Sequence, residues 1–240
     1  MLAIVLLGIL EIKLTSYLLI IAVLNLFFAL YLYKKISHRT LRFFAQVSSN
    51  FVYKIEKTGG EHLPSDGAAI LVCNHVSYAD SIVLYGAYKR PIRFLIYKAI
   101  YDIPVLRWLF RDSRTIPLCS PIKDRAAYES AMAEAIQGLK NGQIICIFPE
   151  GRLSPDGNIH KFHRGVEKLI EGHPVNVYPM ALKGLAGSFF SRINGDAFSL
   201  AKMKPRLQRR KLSLHIGEAV PPDKVTAARL QEKVIELYER

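Results

Sequence analysis

A histidine and an aspartate five positions apart carry the most distinctive chemistry in this sequence. An apolar run over residues 68–73 ends at Asn74 and His75, and Asp80 follows. A buried strand that ends in a polar turn and a helix start is how α/β folds present side chains at the carboxyl edge of a sheet. There the Asp80 carboxylate would fold back onto the imidazole, fix its tautomer and stabilise the protonated ring. The pair predicts a general base that removes a proton from a hydroxyl group.

The spacing by itself also fits a histidine that a helix-start carboxylate caps for structural reasons. Position favours the functional interpretation, because none of the other six histidines has an aspartate at this offset or follows such an apolar run.

A second apolar run, residues 143–148, also ends in charged residues. Glu150, Gly151 and Arg152 follow it closely. Gly151 would let backbone come close to a ligand. Glu150 is a candidate to accept a hydrogen bond from a substrate hydroxyl or to brace Arg152. The alternative is an ordinary charged turn after a strand.

The chain combines excess positive charge with an apolar composition. Its 240 residues have a formal net charge of +13, 50% hydrophobic residues and a mean hydropathy of +0.16. This favours an anionic membrane surface or a phosphorylated substrate as the partner. Arg152, with Arg114 or Arg164, is then the candidate for holding a phosphate through forked hydrogen bonds. Binding to nucleic acid is the competing hypothesis, but no aromatic and basic recognition motif supports it.

The three cysteines are isolated and form no paired spacing. This predicts reduced thiols that face the cytosol. Cys73 lies close to the candidate base, but its place in the apolar run favours a small core side chain over a nucleophile.

The first 36 residues predict a membrane anchor. Residues 14–33 form a charge-free stretch of 20 residues, long enough for a bilayer core of about 30 Å. A basic cluster follows, so the positive-inside rule places the rest of the chain in the cytoplasm. A spanning helix and a hairpin in one leaflet both fit. Residues 37–52 mix apolar and basic residues at helical spacing, which predicts an amphipathic interfacial helix.

Residues 53–240 alternate strand and helix patterns. This predicts one α/β domain with a mixed, largely parallel sheet flanked by helices. Strands are predicted at residues 53–57, 68–73, 92–97, from 115, and at 143–148, 175–182 and 211–216. Pro179 suggests an edge strand or a bulge.

Three ordered motifs resemble those of glycerolipid acyltransferases, the 1-acylglycerol-3-phosphate acyltransferase (PlsC-like) family. They are Asn74-His75 with Asp80, residues 148–152, and residues 177–179, within a stretch from about 53 to 220. Residues 180–184 and 189–192 further resemble acyltransferase domains fused to bacterial lysophospholipid transporters or to an acyl-carrier-protein synthetase. Residues 1–36 then resemble the last membrane helix of such a transporter, in a bacterial inner membrane.

The resemblance implies a reaction and a set of site residues. His75, oriented by Asp80, would deprotonate the free glycerol hydroxyl of a lysophospholipid. That oxygen would attack an acyl thioester supplied by acyl-CoA or acyl-carrier protein. Asn74 would contribute to substrate binding, and residues 150–152 would bind the acceptor phosphate. No cofactor, metal or acyl-enzyme is implied.

The sequence departs from the family pattern twice. Arg152 directly follows Gly151, where the family usually places one more residue between them. Arg111 and Arg114 both compete for the arginine of the second motif, and Arg114 is preferred because it adjoins the strand at Thr115. Lysophosphatidate and lysophosphatidylethanolamine therefore both stay open as acceptors.

Two rival functions use the same features. A hydrolase would use the His-Asp pair to activate water on an ester or thioester, although no Gly-x-Ser-x-Gly elbow indicates a serine lipase. A non-catalytic membrane lipid-binding module would not depend on His75.

Overall fold

The computed structural model describes residues 16–28, 31, 38–193, 197 and 209–240. The chain divides into two units, Met1–Thr40 and Leu41–Arg240. In the first unit, helix α1 covers residues 16–28. No helix among the described residues is both long enough and apolar enough to cross a membrane. The predicted membrane segment, residues 14–33, lies partly outside the described residues, so a membrane helix is not confirmed.

The helix predicted at residues 37–52 is present as α2, His38–Val52. Phe43, Phe44 and Phe51 on this helix are each more than half exposed. The helix approaches the domain through its backbone, since a Cβ added to Gly86 would lie 2.9 Å from the Cα of Gln46. Helix α2 therefore keeps large apolar side chains at the surface.

Among the described residues, seven strands form one sheet in the order β1-β7-β6-β2-β5-β3-β4. Neighbouring strands are parallel except for β6 and β7, which are antiparallel. This confirms the predicted mixed, largely parallel sheet. The strands are β1 Tyr53–Thr58, β2 Ala69–Cys73, β3 Ile92–Tyr97, β4 Ile116–Leu118, β5 Ile144–Ile147, β6 Val177–Lys183 and β7 Arg210–Ile216.

Helices cover both faces of the sheet. On one face α6 (Arg125–Lys140), α7 (Gly165–Gly172) and α8 (Ala227–Glu239) close over the main hydrophobic core. On the other face, Tyr85 of α3 (Asp80–Ala87) packs its ring against Phe94. Phe94 points away from that core because its neighbour Leu95 belongs to it and side chains alternate along a strand. The other α-helices described after α2 are α4 Lys98–Tyr101 and α5 Pro104–Asp112.

Local sequence accounts for these elements. All five residues of β2 are apolar and buried, as expected for a central parallel strand covered on both faces. Helix α6 begins after Asp124, whose carboxylate accepts the backbone N–H of Ala127 at 2.9 Å. It ends before Gly142, whose φ of +73° suits glycine. Helix α8 begins after Thr226, which caps it in the same way.

The register of β2 and β5 brings the two charged turns together. The strands are parallel, with Val72 beside Ile147. Parallel neighbours lie about 4.8 Å apart, so the turns that contain His75 and Glu150 leave the sheet side by side. This carboxyl edge of the sheet is where α/β folds gather their sites.

Pro179 lies in a central strand, so the edge position suggested by the sequence is wrong. Strand β6 pairs with β2 on one side and β7 on the other. The Pro179 carbonyl accepts the N–H of Gly217 at 2.8 Å on the β7 side. In a strand, the N–H and C=O of one residue point to the same side. The N–H that Pro179 lacks would therefore point toward β7, just beyond the last pair of the β6–β7 ladder, Met180 with Ile216. The register there slips by one residue between the Met180–Ile216 pair and the Val177–Val220 bridge, which is a bulge opposite Pro179.

Two glycines after β1 test the packing of this sheet. Gly59 and Gly67 have similar φ values of +72° and +77°, but a Cβ on Gly59 would lie 2.0 Å from the Ile216 carbonyl oxygen, whereas nothing lies within 4 Å at Gly67. Alanine at either position carries a left-handed penalty of about 1–2 kcal/mol. We expect Gly59→Ala to lower the free energy of unfolding by about 2 kcal/mol more than Gly67→Ala. Urea denaturation followed by circular dichroism measures both, and equal losses would contradict the close contact.

Candidate active site

Asp80 and His75 form the centre of the site. The imidazole Nδ1 lies 2.9 Å from Asp80 Oδ2, which also accepts the backbone N–H groups of Val76 at 2.8 Å and Ser77 at 2.9 Å. All these donors converge on Oδ2, and Oδ1 has no hydrogen-bond partner among the described residues. Asp80 is fully buried in the first turn of α3, where the helix dipole favours a carboxylate. The contact fixes Nδ1 as the donor and leaves Nε2 as the proton acceptor.

Two aromatic rings set the plane of the imidazole. The Phe148 ring stacks on His75 with centroids 4.1 Å apart and an interplanar angle of 16°. Phe94 continues the stack, 6.2 Å from Phe148. The His75 side chain is nevertheless 18% exposed, so its free edge can meet a substrate.

Glu150 joins the two charged turns. Its Oε1 accepts the backbone N–H of His75 at 2.8 Å, and its Oε2 accepts that of His160 at 3.0 Å. Burial is the larger effect and raises the pKa of Glu150, although the two backbone hydrogen bonds lower it in part. Both oxygens are used within the chain and the residue is 2% exposed. The structure therefore gives Glu150 a positioning role, which corrects its predicted contact with the substrate.

Asn74 is likewise committed to the fold. Its side-chain amide donates to the Leu182 carbonyl at 3.0 Å and accepts the Leu182 N–H at 2.8 Å. It acts as an extra rung between the end of β2 and strand β6. The residue is fully buried, so the predicted contact with a substrate is corrected to a structural role.

Gly151 and Arg152 lie at the protein surface, in the turn that also contains Glu150. Gly151 has a φ of +67°, and a Cβ there would lie 3.3 Å from Cδ2 of His163. Both Gly151 and Arg152 are exposed. Because Glu150 is anchored beside His75, Arg152 is the predicted phosphate ligand that the structure brings to this edge.

The structure does not bring Arg114 to this edge. Arg114 precedes β4, the third strand from β2 in the sheet order. The strands between them run parallel, so Arg114 lies at the amino end while His75 follows a carboxyl end. Arg114 adopts a φ of +55°, and its carbonyl accepts the Arg93 side chain at 2.7 Å. This corrects its assignment to the phosphate site and gives it a turn position.

Arg164 is already paired. It precedes helix α7, and its Nε lies 2.5 Å from Glu167 Oε2. Glu167 also accepts the backbone N–H of Ala227 at 2.9 Å. The Arg164 charge is therefore shared with an anchored carboxylate.

Two further segments contact the His75 turn. Sequence reasoning did not single out Ser154, and it noted residues 189–192 only for their family resemblance. The Ser154 N–H donates to the His75 carbonyl at 2.7 Å, and the Tyr78 N–H donates to the Phe190 carbonyl at 3.1 Å. A Ser-Pro-Asp-Gly turn signal at residues 154–157 was visible in the sequence. Which strand end such a turn contacts depends on tertiary structure.

The cysteines of β2 and β5 are poor nucleophiles. Burial raises the pKa of the Cys73 and Cys146 thiols, so both stay protonated. For Cys73 this agrees with its prediction as a core side chain. Within the described ranges, no group of three or more His, Cys, Asp or Glu side chains is arranged to hold a metal ion.

The structural role of Asn74 is testable by denaturation. We expect Asn74→Ala to lower the free energy of unfolding by about 2–4 kcal/mol, because it leaves a buried N–H and a buried carbonyl of Leu182 unpaired. Asn141→Ala, at the exposed end of α6, is the control and should cost less than about 1 kcal/mol. Urea titration measures both. Equal stability of the two variants would show that the Asn74 amide does not hold β2 to β6.

Sequence comparison finds similar proteins of known function. The chain is 30% identical over 152 residues to a chloroplastic 1-acyl-sn-glycerol-3-phosphate acyltransferase of Arabidopsis thaliana, covering 63% of this chain and 42% of that protein. It is 29% identical over 168 residues to an N-acylphosphatidylethanolamine synthase of the same plant, covering 64% and 56%. The chain thus spans about half the length of these curated relatives.

A solved structure shares the fold. The crystal structure of the 1-acyl-sn-glycerophosphate acyltransferase PlsC from Thermotoga maritima superposes with a TM-score of 0.61 at 22% identity, covering 84% of this chain and 78% of that one. The sequence model of the family described as Acyltransferase matches residues 54–183. These residues hold strands β2 to β6 and both charged turns. Since the match covers more than half of the chain, this protein belongs to the Acyltransferase family.

Proposed function

We propose that this chain transfers a fatty acyl group from an acyl thioester, acyl-CoA or acyl-carrier protein, to the free hydroxyl of a lysophospholipid. The observation that carries the proposal is the His75–Asp80 pair, with Nε2 of His75 left to accept a proton at the open carboxyl edge. Family membership supports acyl transfer as the reaction class.

The proposed reaction uses one general base. His75 Nε2 takes the hydroxyl proton as the acceptor oxygen attacks the thioester carbonyl, and the Asp80 carboxylate stabilises the imidazolium. The tetrahedral intermediate then expels the thiolate, which takes the proton back from His75. The products are an ester and a thiol, and His75 is neutral again. No acyl-enzyme is needed.

Arg152 is the proposed ligand of the acceptor phosphate. It is exposed and directly follows the turn that Glu150 anchors beside His75. The names of the two plant relatives refer to 1-acyl-sn-glycerol-3-phosphate and to N-acylphosphatidylethanolamine. The first of these names supports lysophosphatidate as the acceptor, and lysophosphatidylethanolamine is the second acceptor to test. The likeness to transporter-fused bacterial domains stays a prediction.

We propose that the enzyme works on the cytoplasmic side of a bacterial inner membrane. The exposed aromatic side chains of α2 and the net charge of +13 both suit an anionic lipid surface. A long apolar substrate also resides in such a surface.

The central test is acyl transfer in detergent or liposomes, with labelled acyl-CoA and acyl-carrier protein supplied in parallel to both lysolipids. We expect His75→Ala to lower transfer by about 10³-fold or more, because the base is lost. Asp80→Asn keeps the shape but removes the charge that stabilises the imidazolium, and we expect a loss of about 10²–10⁴-fold.

His173→Ala, at the far end of α7, is the matched control and should keep wild-type transfer. Thiol release without new phospholipid would replace the proposal by a hydrolase. A folded wild type that transfers nothing with any pair would leave a lipid-binding module.

We expect variants of Arg152 and Arg164 to differ in their KM for the phosphorylated acceptor. We expect Arg152→Ala to raise KM for the phosphorylated acceptor about 10- to 100-fold with little change in kcat, because a charged hydrogen bond is worth about 1.5–3 kcal/mol. Arg164→Ala should change KM less than about threefold, since the Arg164 guanidinium is already paired with Glu167. Steady-state kinetics with lysophosphatidate measure both, and monoacylglycerol serves as an acceptor without phosphate. The reverse order of the two variants would assign the phosphate to Arg164.

A further inference from the structure

The segment after β5 holds both backbone groups of His75. Glu150 Oε1 accepts the His75 N–H at 2.8 Å, and the Ser154 N–H donates to the His75 carbonyl at 2.7 Å. Ser154 is fully buried and Glu150 nearly so. Two residues of the segment that follows β5 therefore hold the backbone of His75, the proposed general base.

The same segment closes on itself through Asp156 and His160. Ser154 Oγ donates to Asp156 Oδ1 at 3.0 Å, and His160 Nε2 lies 2.9 Å from that same oxygen. The backbone N–H of His160 then donates to the second oxygen of Glu150 at 3.0 Å. The hydrogen bonds thus form a closed circuit from the His75 carbonyl through Ser154, Asp156, His160 and Glu150 to the His75 N–H.

The turn chemistry explains why Asp156 can serve this circuit. Its carboxylate also accepts the backbone N–H of Asn158 at 3.0 Å and its side-chain amide at 2.9 Å. These hydrogen bonds, with that from His160, lower the pKa of Asp156 well below its ordinary value. The intervening Gly157 has a φ of +91°, which glycine adopts without strain, and its N–H donates to Ser154 Oγ at 2.9 Å.

We propose that Asp156 and His160 are positioning residues for His75, acting through Ser154 and Glu150. The inference rests on the proposed acyl transfer. A general base must lie within hydrogen-bond distance of the hydroxyl that it deprotonates. Asp80 and Phe148 orient the ring, whereas the circuit fixes the backbone that carries it. A displacement of about 0.5 Å is enough to weaken such a site.

Kinetics of single and double variants test the circuit. We expect Asp156→Ala and His160→Ala each to lower kcat about tenfold, with KM for acceptor and donor within about twofold. The double variant should stay near the level of the single variants, because both changes open one circuit. His160→Gln places an amide near the position of Nε2 and should restore at least about a third of wild-type kcat.

Glu129→Ala is the matched control. Glu129 forms an exposed ion pair with Arg125 four residues away on α6, and its loss should leave kcat unchanged. Equal kcat for wild type, Asp156→Ala and His160→Ala would overturn the inference. Multiplicative losses in the double variant, without rescue by His160→Gln, would also overturn it in favour of separate structural roles.

A second measurement does not require acyl transfer. Diethyl pyrocarbonate modifies accessible imidazoles, and peptide mass spectrometry reports the rate at His75 alone. We expect about threefold faster modification of His75 in Asp156→Ala and His160→Ala, and no change in Glu129→Ala. If wild type transfers no acyl group, the proposed function fails and this rate alone decides the positioning. An unchanged rate with unchanged kcat refutes the positioning while acyl transfer stands.

Discussion

The buried carboxylate of Asp80 is the constraint on which the site depends. A carboxylate removed from water must receive hydrogen bonds or become neutral. Here Oδ2 of Asp80, at the amino end of α3, accepts hydrogen bonds from the His75 ring and from two backbone N–H groups of the turn. The bonds that satisfy the buried charge are therefore the same bonds that orient the base. A change that frees the carboxylate would disturb the turn and the imidazole together.

The parallel pairing of β2 and β5 supplies the second requirement. It sets two charged turns side by side, so Glu150 can reach the backbone of His75. Asn74 performs a similar task on the other side, where it extends the pairing of β2 with β6. Two polar residues of the motifs thus hold the scaffold, whereas the side chains of His75 and Arg152 keep exposed surface.

This division of roles suits general-base chemistry. A base held at its ring, its backbone and its stacked face needs little rearrangement when a substrate arrives. Behind the partly exposed imidazole, Asp80, Glu150 and Ser154 are buried and hydrogen-bonded. In the proposed reaction, Arg152 would determine specificity for the acceptor, and the supports behind His75 would determine the rate.

The sequence by itself determined the local features of this protein. It predicted the mixed, largely parallel sheet, the ends of β2 and β5, and the contact between His75 and Asp80. Residues five apart across a turn into a helix meet through local backbone geometry, so their contact needs no knowledge of strand order. Only the tertiary structure decided that Arg114 lies at the opposite edge, that Pro179 occupies a central strand, and that Glu150 and Ser154 hold the backbone of His75. Strand order and register depend on contacts between residues distant in sequence, and hydrophobic periodicity carries no information about which strands become neighbours.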